Sequence, residues 1–160
     1  MPFLLPADAP RRPLTRFAPA PTGHLHLGHV ASAVWVWGVA RALGGNVLLR
    51  VEDHDRGRSR PAYEQALLED LEWLGLVPDL GHPAEYRAGQ CEYRQSDRGD
   101  VYERELARLA GEGLVYACDC SRRRLRETAA DLPNVETPYD GRCRDRGLAL
   151  TAGRGVRVRI

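Results

Sequence analysis

At 160 residues, with 43% hydrophobic and 28% charged side chains, the chain has the composition of one ordinary globular domain, large enough to bury a core. A formal net charge of +1 excludes a global basic field of the kind that holds nucleic acid indiscriminately. No run is long and apolar enough to span a membrane, and the start M-P-F-L-L-P lacks the charged head and long apolar stretch of a secretory signal, so a cytoplasmic location is expected.

Residues 1–13 are expected to be a flexible lead-in. Leu14 to Ala18 is short and apolar enough for a strand, and Pro19 and Pro21 then mark a loop. From Gly28 to Leu43 the chain is rich in Ala, Val and Trp, lacks Pro and is closed by Gly44-Gly45, which predicts a buried helix with a C-terminal stop. Gly45 to Asp53 is an almost continuous apolar run, the pattern of a parallel strand covered on both faces. Ser59 and Pro61 read as the cap and first turn of a helix in which Tyr63, Leu67, Leu68, Leu71 and Leu74 recur at helical spacing before Gly75. After a loop rich in Gly, Pro and His, Ser96 is placed to cap a helix with Val101, Leu106 and Leu109 facing inward. Leu114 to Cys118 reads as a strand, Arg122 to Ala130 as a short basic helix, Asp131 to Gly147 as irregular, and Val156 to Ile160 as the start of a further strand. This alternation predicts an α/β, Rossmann-like doubly wound parallel sheet, with its site at the carboxyl ends of the strands.

The most informative stretch runs from Arg16 to His29, R-F-A-P-A-P-T-G-H-L-H-L-G-H, at the predicted strand-to-helix turn. A loop feeding a helix start offers unpaired N–H groups and the positive end of the helix dipole, both of which favour phosphate. His26 and His29 add donors that can follow negative charge as it builds, and Gly28 leaves room for a flat ring to approach the backbone. A bare H-x-G-H would also suit an ordinary loop; the fourteen-residue run is far more specific. H-L-G-H resembles the HIGH signature of class I aminoacyl-tRNA synthetases, and the longer run resembles their glutamyl/glutaminyl branch. The resemblance implies ATP at His26, Gly28 and His29, with His26 and His29 catalytic. It implies glutamate held by Arg16, by the segment Phe17, Ala18, Pro19 and Ala20, and by Glu52, which begins E-D-H-D-R-G-R-S where the family has E-D-x-D-x-x-R-S. Arg16 would take a carboxylate in bidentate fashion and Glu52 the α-amino group. Family members often carry serine where this chain has Ala20, which bears on the strength of glutamate binding. Asp53, Asp55, Arg58 and Ser59 are expected to form a local network fixing the loop.

Cys118 and Cys120 form C-x-C, and Tyr139 and Cys143 form Y-x-x-x-C in T-P-Y-D-G-R-C. Three thiolates can hold a tetrahedral zinc; the residues alone leave the fourth position open to Asp119, Asp140 or water. Three free buried thiols are the alternative. The pattern is similar to the zinc site of glutamyl-queuosine tRNA(Asp) synthetases, shortened relatives of glutamyl-tRNA synthetase, and implies one structural Zn2+ on Cys118, Cys120, Tyr139 and Cys143. Cys91 belongs to neither motif. Arg122, Arg123, Arg124 and Arg126 are equally readable as phosphate contacts and as a solvated face.

All 23 basic residues other than histidine are arginine. The family's second signature, a K-M-S-K-S-like loop whose lysine stabilises pyrophosphate, therefore has no counterpart in this sequence. The expected organisation is the first part of the catalytic domain at 14–115, a zinc-binding insertion at 116–147 and a following strand region at 148–160, within a longer enzyme. The resemblance implies ATP with Mg2+, glutamate and queuosine-bearing tRNA(Asp) as substrates and partners, no membrane, and a monomer. The alternatives are the N-terminal half of a glutamyl-tRNA synthetase and a non-catalytic nucleotide- or zinc-binding module.

Overall fold

The computed structural model describes residues 12–121, 123–125 and 139–159. The chain forms two compact units, Met1–Gly99 and Asp100–Ile160.

In the first unit, β1 (Leu14–Phe17) leads through the proline loop into α1 (Leu27–Ala42), which returns to β2 (Asn46–Leu49). β1 and β2 pair in parallel, with Leu14 opposite Asn46 and Phe17 opposite Leu49. The parallel sense continues on the far side of β2 through isolated bridges, Leu48 to Leu80 and Val51 to Arg94. The predicted strand Gly45–Asp53 is thus shorter as a regular strand, and its last residues pair singly. α2 (Pro61–Trp73), the short α3 (Pro83–Arg87) and a 3-10 turn at Gln95–Arg98 complete the unit. The core unites Phe17, Ala33, Trp37, Ala40, Val47, Leu49, Val51, Leu67, Leu68, Leu71 and Tyr86. Phe17 and Trp37 meet edge-on at 5.7 Å, and the Trp37 indole N–H donates to Val77 O at 2.9 Å.

Several local expectations need correction. α1 is not buried all round: Ala33, Trp37 and Ala40 face the core, while Val34 and Trp35 stay 57% and 58% exposed. The cap of α2 is Arg60, without a side-chain cap bond, because Ser59 lies one residue too early. α3 was hidden in the loop after Gly75; Pro83 opens it and His82 with Glu85 forms a capping box. Ser96 lies inside the 3-10 turn and caps nothing, its hydroxyl bonding Asp53 instead.

In the second unit, α4 (Gly99–Gly111) leads to β3 (Val115–Cys118), and β4 (Gly155–Val158) pairs with β3 antiparallel. The last strand was expected to extend a parallel sheet; it folds back on β3 instead, with Arg157 opposite Tyr116 and Gly155 opposite Cys118. Val101, Leu106 and Leu109 do not enter a core: no residue of α4 is buried. A small core joins Tyr116, Cys118 and Cys143, flanked by Cys120, Tyr139 and Leu148. Residues 123–125 are helical; Arg122, Arg126 and most of the expected basic helix lie outside the described residues.

Candidate active site and metal centre

The two histidines build the N-terminus of α1. His26 is its cap: its Nδ1 accepts from the Gly28 N–H at 3.1 Å, and the His29 Nδ1 accepts from the His26 N–H at 3.2 Å. This reciprocal box satisfies two helix-end donors with imidazoles in place of the usual hydroxyl and carboxylate. The rings lie 4.0 Å apart between centroids, tilted by 40°. With both Nδ1 atoms accepting, each neutral ring carries its proton on Nε2 and keeps that N–H as its donor. Burial, followed by the neighbouring His26, pulls the His29 pKa down, which favours the neutral form. Gly28 has a local reason as well: a Cβ there would stand 3.0 Å from His26 Cε1 and 3.1 Å from its Nδ1.

The other residues of the motif gather where β1 and β2 end. Arg16 is exposed on β1, Phe17 and Pro19 are buried, Ala18 is half-buried and Ala20 exposed. The Glu52 N–H donates to Pro19 O at 3.0 Å, and Arg50 N–H to Phe17 O at 2.9 Å, so the two strand ends stay side by side past the regular pairing. The Glu52 carboxylate is held by Arg50 at 3.0 Å, with His54 3.7 Å away. Of the expected loop network, Asp55 pairs with Arg58 at 2.7 Å. Asp53 instead accepts from the Ser96 N–H at 2.8 Å and its hydroxyl at 2.5 Å.

Sequence reasoning missed Arg94. Its guanidinium binds Glu64 at 2.6 Å, Asp97 at 2.7 Å and the carbonyls of Tyr86 and Gly89, tying α2, α3 and the 3-10 turn together. Glu64, then burial opposing it, then Asp97 set its pKa, which rises above the ordinary arginine value. It forms one wall of a cavity of about 540 Å3 also lined by Pro21, Asp53, Ser59 and Leu68. His26, His29 and Glu52 do not line that cavity. His26 instead borders a smaller apolar groove of about 300 Å3 with Leu27, Val30 and Trp73.

In the second unit, β3 carries Cys118 inward and Cys120 just beyond its end, and the turn at 142–145 presents Cys143. The three sulfurs lie within 4.8 Å of one another. Tyr139 Oη is 3.4 Å from Cys118 Sγ and 3.8 Å from Cys120 Sγ; Cys120 and Cys143 sulfurs are 3.6 Å apart. Tetrahedral zinc, at ~2.3 Å from sulfur and ~2.0 Å from oxygen, spaces its donors roughly 3.5–3.8 Å apart. The three distances among Cys118, Cys120, Cys143 and Tyr139 match that spacing, so the donor set suits such an ion. Asp119, another candidate for the fourth position, is turned to Arg146 at 2.8 Å, though its Oδ1 also touches Cys143 Sγ at 3.3 Å. Burial pushes the Cys118 thiol up, but hydrogen bonds from Tyr139, Arg157 and Cys120 outweigh it and bring it down to about 6. Burial, then the hydrogen bonds to Cys118 and Cys143, push the Tyr139 phenol up. Cys91 is buried in the first unit, away from this cluster.

The family description "tRNA synthetases class I (E and Q), catalytic domain" matches residues 14–154. The glutamyl-Q tRNA(Asp) synthetase of Rhodobacter capsulatus is 48% identical over 141 residues, covering 84% of this chain and 47% of that protein. A glutamate–tRNA ligase of Frankia casuarinae is 44% identical over 144 residues, covering 90% of this chain and 28% of that protein. The crystal structure of glutamate–tRNA synthetase from Elizabethkingia anophelis superposes with a TM-score of 0.64 at 33% identity, over 82% of this chain and 27% of that one. The chain thus spans less than half the length of these relatives. It belongs to the class I tRNA synthetase family of the glutamyl and glutaminyl branch, and its first unit is the Rossmann-like α/β fold of that catalytic domain.

Proposed function

We propose that the polypeptide carrying this chain activates glutamate with ATP and passes the glutamyl group to the queuosine base at the wobble position of tRNA(Asp). The observation that carries the activation step is the pair of reciprocally capped imidazoles at the start of α1, whose Nδ1 atoms accept and leave Nε2 as the donor. A glutamate carboxylate attacks the α-phosphorus of ATP, the bond to the bridging oxygen breaks, and pyrophosphate leaves with its electron pair. His26 and His29 donate to phosphate oxygens as charge develops, helped by the N-terminus of α1. Adenine lies over Gly28, and Mg2+ enters with the ATP phosphates. Arg16 takes the glutamate side-chain carboxylate, Glu52 the α-amino group, and the backbone of 17–20 lines the site. Arg50 holds Glu52 at the strand end in the meantime, an ion pair that an incoming ammonium can share.

The choice of acceptor rests on the cysteine cluster. Cys118, Cys120, Cys143 and Tyr139 would hold one structural zinc, which when bound supplies cross-linking of residues 118–143 and no chemistry of the reaction. Residues 14–115 are the first part of the catalytic domain, 116–147 the zinc-binding insertion and 148–160 the following strand region. Arg123 and Arg124 are exposed and would meet tRNA phosphates. Among the described residues no helix is long and apolar enough to cross a membrane. A cytoplasmic monomer completes the reading. The 44% identity to a glutamate–tRNA ligase keeps a second reading in play, a glutamyl-tRNA synthetase that charges the tRNA 3′ end.

Glutamate-dependent ATP–pyrophosphate exchange tests both. Exchange without tRNA, and glutamyl transfer that requires queuosine in tRNA(Asp), supports the first. Exchange only with tRNA present, and charging of tRNA(Glu), supports the second. ATP binding without exchange under either condition leaves a binding module.

A further inference from the structure

We propose that Arg157 is a positioning residue of the metal centre, acting on the ligands Tyr139 and Cys118. The inference rests on the zinc reading above and adds a residue outside the ligand set. Arg157 sits on β4 opposite Tyr116, on the hairpin face that carries Cys118. Its guanidinium lies over the Tyr139 ring, with Cζ 3.6 Å from the ring centroid. The far end of the same ring places its oxygen 3.4 Å from Cys118 Sγ and accepts from the Cys143 N–H at 3.0 Å. The phenol is therefore gripped at its face by Arg157 and at its oxygen by the Cys143 amide.

The ligand set needs such a cation. Three thiolates and a phenolate bring four negative charges to a divalent ion, leaving two in excess in a small, partly dry core. Arg146 reaches Cys143 Sγ at 3.6 Å, but its charge is already paired with Asp119 at 2.8 Å. The ion pairs among the described residues do not include Arg157. Its charge is thus directed at the aromatic ring and the sulfur beside it, and phenolate, otherwise a weak zinc ligand, becomes a competitive one. A metal centre oriented by groups outside its ligand set loses affinity when they are removed, by about 10–100-fold.

The test measures zinc affinity by chelator competition, with the ligand-field spectrum of the Co2+-substituted protein as a second readout. Arg157→Gln is expected to weaken zinc by about 10–100-fold, and Arg157→Lys, which keeps the charge and loses the plane, by less. Arg108→Gln, exposed on α4 and paired there with Glu105 and Glu112, serves as a control and should bind zinc as the parent does. Tyr139→Phe should weaken zinc itself, and adding Arg157→Gln to it should cost less than the same change costs the parent, because part of the arginine's hold runs through the phenol. Fully additive losses, equal losses for Arg157→Gln and Arg108→Gln, or parental affinity in Arg157→Gln would overturn the proposal and leave the zinc reading intact. A parent protein that takes up no zinc would overturn both.

Discussion

His26 performs two jobs that substitution can separate. As a cap it holds the start of α1; as an imidazole it presents an Nε2–H donor. His26→Ala should remove both, costing roughly 0.5–2 kcal/mol of stability and about 10^2-fold or more in exchange rate. Asparagine is a good helix cap without an imidazole. His26→Asn should therefore recover the thermal stability of the parent while exchange stays depressed. Recovery of both would show that the histidine is there for the helix alone. A second residue reports on pH. Asp79 accepts from the Val47 N–H at 2.7 Å and pairs with Arg41 at 2.9 Å, joining α1 to β2. The Val47 amide first, against some burial, and then Arg41 hold its carboxyl below the usual 3.8. A depressed carboxylate contributes stability that is complete above its unfolded pKa and is lost as pH falls through its folded one. Urea unfolding from neutral pH down to about pH 2 should show a steeper acid loss in the parent than in Asp79→Asn, which should be less stable at neutral pH and flatter.

At the level of elements, what could be read in the sequence were the segments whose physics is local. The proline loop, the helix Pro61–Trp73 and the strand Leu14–Phe17 follow from Pro placement and apolar spacing, and their bounds differ from the expected ones by a residue or two. α1 deviated because Ala, Val and Trp on every side look buried in a sequence, whereas in the described structure only one side meets a sheet. α3 was missed because five residues carry no periodicity. Its signal was H-P-x-E, a capping histidine, a proline at the first helical position and a glutamate three residues on, and the start of α1 uses the same histidine device. The packing of α1 on β1 makes a firm prediction. Trp37 is 7% exposed, stacks edge-on with Phe17 and satisfies its indole N–H on Val77 O. Trp37→Ala should cost about 3–5 kcal/mol, while Trp35→Ala, two residues away on the exposed side, should change unfolding by about 0.5 kcal/mol or less. Comparable losses at the two positions would mean that the outward side of α1 is covered in solution.

At the level of the molecule, the site on α1 and β2 and the cysteine cluster belong to different compact units, each with its own core. The sequence carried the cluster as a motif, yet it could not carry the pairing that builds it. Antiparallel pairing of β3 with β4 joins residues 115–118 to 155–158, and no local pattern encodes a partner that far away. Nor could it foresee Arg157, since an arginine in a strand reads as a surface residue until the register sets it over Tyr139. Among the described residues the second core has three buried members, against twelve in the first, so little described apolar area holds it folded. If a metal ion supplies the remainder, its removal acts on one unit only. Hydrogen exchange with and without a zinc chelator should show protection lost across 115–118 and 139–158, with residues 14–17, 27–42 and 46–49 unchanged. Loss of protection in both units would mean that they fold as one body. No change in either would mean that Tyr116, Cys118 and Cys143 form a self-sufficient core and that the sulfurs are held in place without an ion.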